Sequence, residues 1–134
     1  MTPTVLVVDD DPATCRLIQK LLTPLGYAVR TVGDGGAALV AGAGTPPQLA
    51  IIDLFLPGVD GLSVMRCLRQ DDPQLPVILM SAVSTPLFGP EGGPDASDRE
   101  RIPFLAKPFG LTTLMALVQQ QLPLLNGSHP ARQP

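Results

Sequence analysis

The run VLVVDDDP, residues 5–12, carries three consecutive aspartates, Asp9, Asp10 and Asp11, out of an apolar stretch. Adjacent carboxylates repel, and each resists ionising unless solvent dilutes the charge or a cation sits between them. Asp53 ends a second apolar run, LAIID, Ser81 ends a third, PVILMS, and Lys107 follows FLA. If those runs are strands of one parallel sheet, all these positions fall along one edge, where open α/β sheets bind ligands at the point of strand-order reversal. Acids, a hydroxyl and an amine then converge from distant parts of the chain. Oxygen ligands without histidine or thiolate suit a hard cation, and a shallow, partly hydrated site suits Mg²⁺ better than Zn²⁺. Two of the opening aspartates and Asp53 are therefore the expected metal ligands. Asp11 reads instead as a helix N-cap, with Pro12 at the first helical position.

The elements that must position these residues are legible as periodicity. Short β-branched runs at residues 5–9, 28–32, 49–53, 77–81 and, more weakly, 104–106 are bounded by turn residues and predict five strands. Residues 12–22, 36–43, 62–69 and 111–122 carry apolar side chains at helical spacing, for example Val64, Met65 and Leu68, and predict helices. Strands alternating with helices imply right-handed βαβ units and a parallel sheet covered on both faces, a three-layer α/β class. GDGGAA, from Gly33, resembles a phosphate cradle but lacks the Lys-Ser/Thr of a P-loop, so it reads as a turn and helix start. Asp60-Gly61 has the same turn and helix-start chemistry.

At 134 residues, 45% hydrophobic and 16% charged, the chain has the size and composition of one domain. Residues 1–122 are expected to form it, with 123–134 a flexible tail in which His129 is solvated. A net charge of -3 without a basic stripe argues against direct nucleic-acid contact. The N-terminus has no basic region and its apolar run is too short for a signal peptide or a membrane span, which predicts a cytoplasmic protein. Cys15 and Cys67 form no CxxC or metal spacing, and both are expected to be small core residues.

The chain resembles the receiver domain of two-component response regulators, from VLVVDDDP through LAIIDLFLPGVDGL and PVILMSA to FLAKPF. The resemblance implies a flavodoxin-like five-stranded sheet of order 2-1-3-4-5, the strand order of the family's best-known member. It implies Asp53 as phosphoacceptor, with Mg²⁺ held by Asp9, Asp10, Asp53 and the backbone carbonyl of Phe55. Ser81 would bond the phosphoryl group, Lys107 would supply the cation, and Ser81 with Phe104 would form the switch. It further implies a cis Lys107–Pro108 bond, and Phe55 and Val83 flanking the water that hydrolyses the phosphoaspartate. The chemistry agrees, because a carboxylate attacking a phosphoryl group needs both charges offset by a metal and a positioned amine.

Between Ser81 and Lys107 the family places a regular helix, but Pro86, Gly89, Pro90, Gly92, Gly93 and Pro94 forbid one here. The fourth helix is therefore expected to be irregular or shortened, at most residues 96–101 capped by Asp95. In that segment Leu87 and Phe88 either cover the sheet or dock on an output partner or a second copy of the chain. The function implied is a single-domain response regulator, a signalling phosphoacceptor and not an enzyme, fed by a sensor histidine kinase or a phosphotransfer protein. The other class that fits is a binding module, either a constitutive adaptor or dimerisation receiver in which phosphorylation is not the signal, or a flavin carrier. Flavin binding would want a Ser/Thr/Gly-rich loop where the acids stand. An acidic-nucleophile phosphatase would want a second aspartate where Phe55 stands.

Overall fold

A computed structural model of the chain describes residues 2–82 and 102–123. The strands are β1 (Thr4–Val8), β2 (Ala28–Val32), β3 (Leu49–Asp53), β4 (Val77–Ser81) and β5 (Phe104–Ala106), all parallel, in the order β2-β1-β3-β4-β5. Among the described residues the helices are α1 (Pro12–Leu22), α2 (Gly35–Gly44), α3 (Gly61–Asp71) and α4 (Leu111–Gln121), with a 3-10 turn at Thr23–Leu25. This is the flavodoxin-like order expected. The expectations for the segment between β4 and β5, including Val83, Leu87, Phe88 and the shortened fourth helix, lie outside the described residues, as do those for the tail and His129.

Strand side chains alternate between faces, and the core divides accordingly. Val5, Val7, Leu49, Ile51, Ile78 and Met80 pack with Cys15, Ile18 and Leu22 of α1 and Leu114 and Val118 of α4. Leu6, Val8, Ala50, Ile52, Val77 and Leu79 pack on the other face with Ala38 of α2 and Val64, Met65 and Leu68 of α3. Every residue of β3 and β4 is buried. That explains why both read as continuous apolar runs and not as alternating ones. Each fully buried Val, Leu or Ile contributes about 1.5–3 kcal/mol of transfer free energy, so the central strands anchor both layers.

The helix starts follow from side-chain caps. Asp11 Oδ1 accepts from Ala13 N at 3.1 Å, Asp34 Oδ1 from Ala37 N at 2.7 Å, and Asp60 Oδ1 from Ser63 N at 2.9 Å. Each satisfies a backbone donor that the first helical turn leaves without a partner. The helix-start readings of Asp11, of the GDGGAA stretch and of Asp60-Gly61 are thus borne out. The two cysteines divide. Cys15 is buried, as expected, but Cys67 is exposed. Val64, Met65 and Leu68 take the inward face of α3. Cys67 is left at its rim, beside Leu39 and Gly42 of α2 on the wall of a cavity of about 380 Å³.

Candidate functional site

Parallel strands bring their carboxyl ends to one edge, and there the scattered acids meet. The sequence suggested Asp9 as the end of the first strand; β1 stops one residue earlier, at Val8, though the Asp9 N–H still donates to Val32 O at 3.1 Å. Asp53 is the last residue of β3 and Ser81 the last of β4. Asp9, Asp53 and Ser81 are the buried polar residues of the described chain, at 1%, 6% and 0% exposure. Asp10 is exposed, and carboxylate oxygens of Asp9, Asp10 and Asp53 all lie within 4.8 Å of one another.

Lys107 enters from the end of β5, where its N–H donates to Ser81 O at 2.9 Å. Its Nζ donates to Asp9 Oδ2 at 2.6 Å and to Asp53 Oδ2 at 2.9 Å. The Lys107–Pro108 bond is cis, as the resemblance implied. Burial alone would lower the Lys107 ammonium, but its hydrogen bonds and charge contacts with Asp9 and Asp53 outweigh that and raise it above the ordinary lysine range. Lys107 therefore stays a cation. Burial pushes the Asp9 carboxyl up, against the opposing pull of Lys107 and the Asp11 N–H. Three carboxylates facing one ammonium leave two formal negative charges, which a dication would offset. The donors are all oxygens, with no imidazole in the cluster, so the residues present fit a hard cation such as Mg²⁺.

The remaining expected residues lie around this centre. Phe55 donates its N–H to Asp53 Oδ1 at 3.0 Å, and its ring is half exposed. Phe104 opens β5, paired in register with Leu79 two residues before Ser81, and the residue is 38% exposed.

Three features escaped the sequence reading. Lys107 bridges to Asp9 as well as to Asp53. The Cys15 thiol donates to the main-chain carbonyl of Asp9 at 3.4 Å. Burial comes first in pushing that thiol above the ordinary range, and the charges of Asp9 and Asp11 add to it. Gly61, read only as turn chemistry, sits where a Cβ would lie 2.3 Å from Asp53 O and 2.9 Å from Leu54 Cα. Only the missing side chain lets α3 start directly against the end of β3. A lone Asp-Gly or Cys in sequence carries no signal of such an approach.

A three-acid cluster with a bridging lysine thus stands at the carboxyl edge of a five-stranded α/β sheet of order 2-1-3-4-5. The sequence matches the family described as the response regulator receiver domain over residues 5–119, and the chain belongs to that family. It is 34% identical over 111 residues to TcrX of Mycobacterium tuberculosis, a probable transcriptional regulatory protein, covering 81% of this chain and 44% of that one. It is 34% identical over 125 residues to the DNA-binding response regulator MtrA of Mycolicibacterium smegmatis, covering 91% and 51%. The chain thus spans about half the length of these relatives. Among solved structures, the receiver domain of a Francisella response regulator superposes with a TM-score of 0.75 at 28% identity, covering 90% of this chain and 96% of that one. The chemotaxis protein CheY4 of Vibrio cholerae shares the fold, with a TM-score of 0.79 at 24% identity over 91% of this chain and all of that one.

Proposed function

We propose that the chain accepts a phosphoryl group on Asp53 from a histidine kinase or phosphotransfer protein, in a Mg²⁺-dependent reaction, and that the modified form changes its affinity for an output partner. The observation that carries this reading is the setting of Asp53: nearly buried at the end of β3, with one oxygen on the Phe55 N–H and the other on Lys107. In the proposed step a carboxylate oxygen of Asp53 forms the O–P bond as the donor's P–N bond breaks, and the electron pair leaves with the donor's imidazole. Lys107 offsets charge on the incoming oxygens as a point charge on a flexible stem. A bound Mg²⁺, held by Asp9, Asp10, Asp53 and the Phe55 carbonyl, would supply the rest of that neutralisation.

Ser81 then donates its hydroxyl to a phosphoryl oxygen, and Phe104 follows by turning inward. A bias of about 1–3 kcal/mol suffices to shift such a two-state element. The chain is an acceptor acting on itself, and not an enzyme that turns over a separate substrate. Among the described residues no helix is long and apolar enough to cross a membrane, and we assign the chain to the cytoplasm, where its donor would meet it. DNA binding belongs by name to MtrA; our reading gives this acidic chain a protein partner and no nucleic-acid surface of its own.

Intact-mass measurement after incubation with acetyl phosphate tests the reading. Wild-type protein should gain one phosphoryl group only when Mg²⁺ is present, and Asp53→Asn should gain none while keeping its fold, because the amide preserves shape and loses the nucleophile. No Mg²⁺-dependent gain in the wild type, or stoichiometric labelling of the variant, would defeat it.

A further inference from the structure

Asp9 is the most enclosed of the three acids, and each of its polar atoms has a partner. Its N–H donates to Val32 O, its Oδ1 accepts from Asp11 N at 2.9 Å, and its Oδ2 accepts from Lys107 Nζ. The main-chain oxygen is held by Cys15, whose Sγ reaches it at 3.4 Å from the buried face of α1. That oxygen belongs to the peptide joining Asp9 to Asp10, and a peptide is a rigid plane. Fixing the oxygen fixes the direction in which Asp10 leaves the turn. Asp10 is the exposed member of the cluster, so its carboxylate is the one whose place depends most on the backbone beneath it.

We propose that Cys15 is a positioning residue for metal binding: by anchoring the Asp9 carbonyl it sets the Asp9–Asp10 peptide and so aims Asp10 at the shared cation site. The inference rests on the reading of that cluster as a metal site. Room for the alternative exists, because a groove of about 290 Å³ runs between the end of β1, α1 and β2, lined by Asp9, Asp10, Cys15 and Thr31 among others. Without the thiol, a nearly buried carbonyl loses its donor and gains by tilting toward water in that groove. Such a tilt carries Asp10 away from Asp9 and Asp53. A cysteine suits the post, since it is small and apolar enough for the core and still offers one weak donor. Its action runs through Asp9 and Asp10, as outer-shell partners of metal ligands do.

Mn²⁺ titration of the full chain, read from the electron paramagnetic resonance signal of the unbound ion, tests this without any phosphorylation assay. Cys15→Ala and Cys15→Val both remove the donor, Val keeping apolar volume in case Ala folds poorly. Each should weaken Mn²⁺ binding about tenfold, the lower end of the range for outer-shell changes. Cys15→Ser, which restores a donor, should recover most of that loss. A folded Ala or Val variant that binds like wild type overturns the proposal. So does a Ser variant as weak as Ala, because volume and not hydrogen bonding would then be what matters. Absence of Mn²⁺ binding in the wild type, or binding that Asp10→Asn leaves unchanged, would instead defeat the metal-site reading itself.

Discussion

At the scale of single residues, the balance of charge around Lys107 decides what the site can do. Two enclosed carboxylates share its ammonium, and a third stands exposed beside them. Both acids that Lys107 holds are therefore kept in place before any ligand arrives. On the proposed reading, Phe55 would govern what happens afterwards. Its ring is half exposed next to Asp53, and a phenyl group has neither donor nor acceptor with which to orient a water molecule. If Asp53 carries a phosphoryl group, its hydrolysis should be slow, and Phe55→Asn should speed it by about tenfold, a modest fraction of what a positioned proton-transfer group supplies. The decay of radiolabelled protein after removal of the donor measures this directly. An unchanged or slower decay in the variant would show that Phe55 is not what limits access.

Elements matter through how they begin. The start of α3 combines a side-chain cap with a close approach: Asp60 holds Ser63 by both N–H and hydroxyl, and Gly61 lies against Asp53 O. The hydrogen bond from the Ser63 N–H is the first cause holding the Asp60 carboxyl below its ordinary range. A group lowered by folding stabilises the fold above its unfolded value and loses that contribution as pH falls through the folded one. Asp60→Ala should thus cost about 1 kcal/mol near neutral pH. The difference between variant and wild type should shrink in denaturant melts taken as pH drops below the usual carboxyl range. A gap constant with pH would mean the charged carboxylate is not what caps α3. Gly61→Ala is a harsher change, because the atoms met are backbone and cannot turn aside. It should cost about 1–3 kcal/mol, the range for overpacking. It should also slow phosphoryl uptake by shifting the end of β3, and a variant with wild-type melting and wild-type labelling would refute that close contact.

At the scale of the whole molecule, one sheet serves two separate cores, and neighbouring residues of β3 belong to different ones. Ile51 packs toward α1 and α4, Ile52 toward α2 and α3. Ile51→Val and Ile52→Val should each cost about 0.5–1.5 kcal/mol. The double variant should cost their sum to within about 0.5 kcal/mol, since the deleted methyl groups share no packing partners. Strong non-additivity in urea melts would contradict the three-layer arrangement. The sequence by itself determined the elements, because periods of two and of 3.6 residues, proline and glycine punctuation and capping aspartates are local signals. Residues 28–32, 49–53, 77–81 and 104–106 coincide with strands, and residues 12–22 with α1. Alternation of strand and helix also determined that Asp9, Asp53, Ser81 and Lys107 would share an edge, since parallel strands leave no other place for their ends. Tertiary structure alone decided the contacts perpendicular to the chain: Lys107 between Asp9 and Asp53, Cys15 on the Asp9 carbonyl, Gly61 against Asp53, and Cys67 at the rim instead of in the core. Those depend on how far one element approaches another, a distance fixed by the packing of both cores together and written in no single stretch of residues.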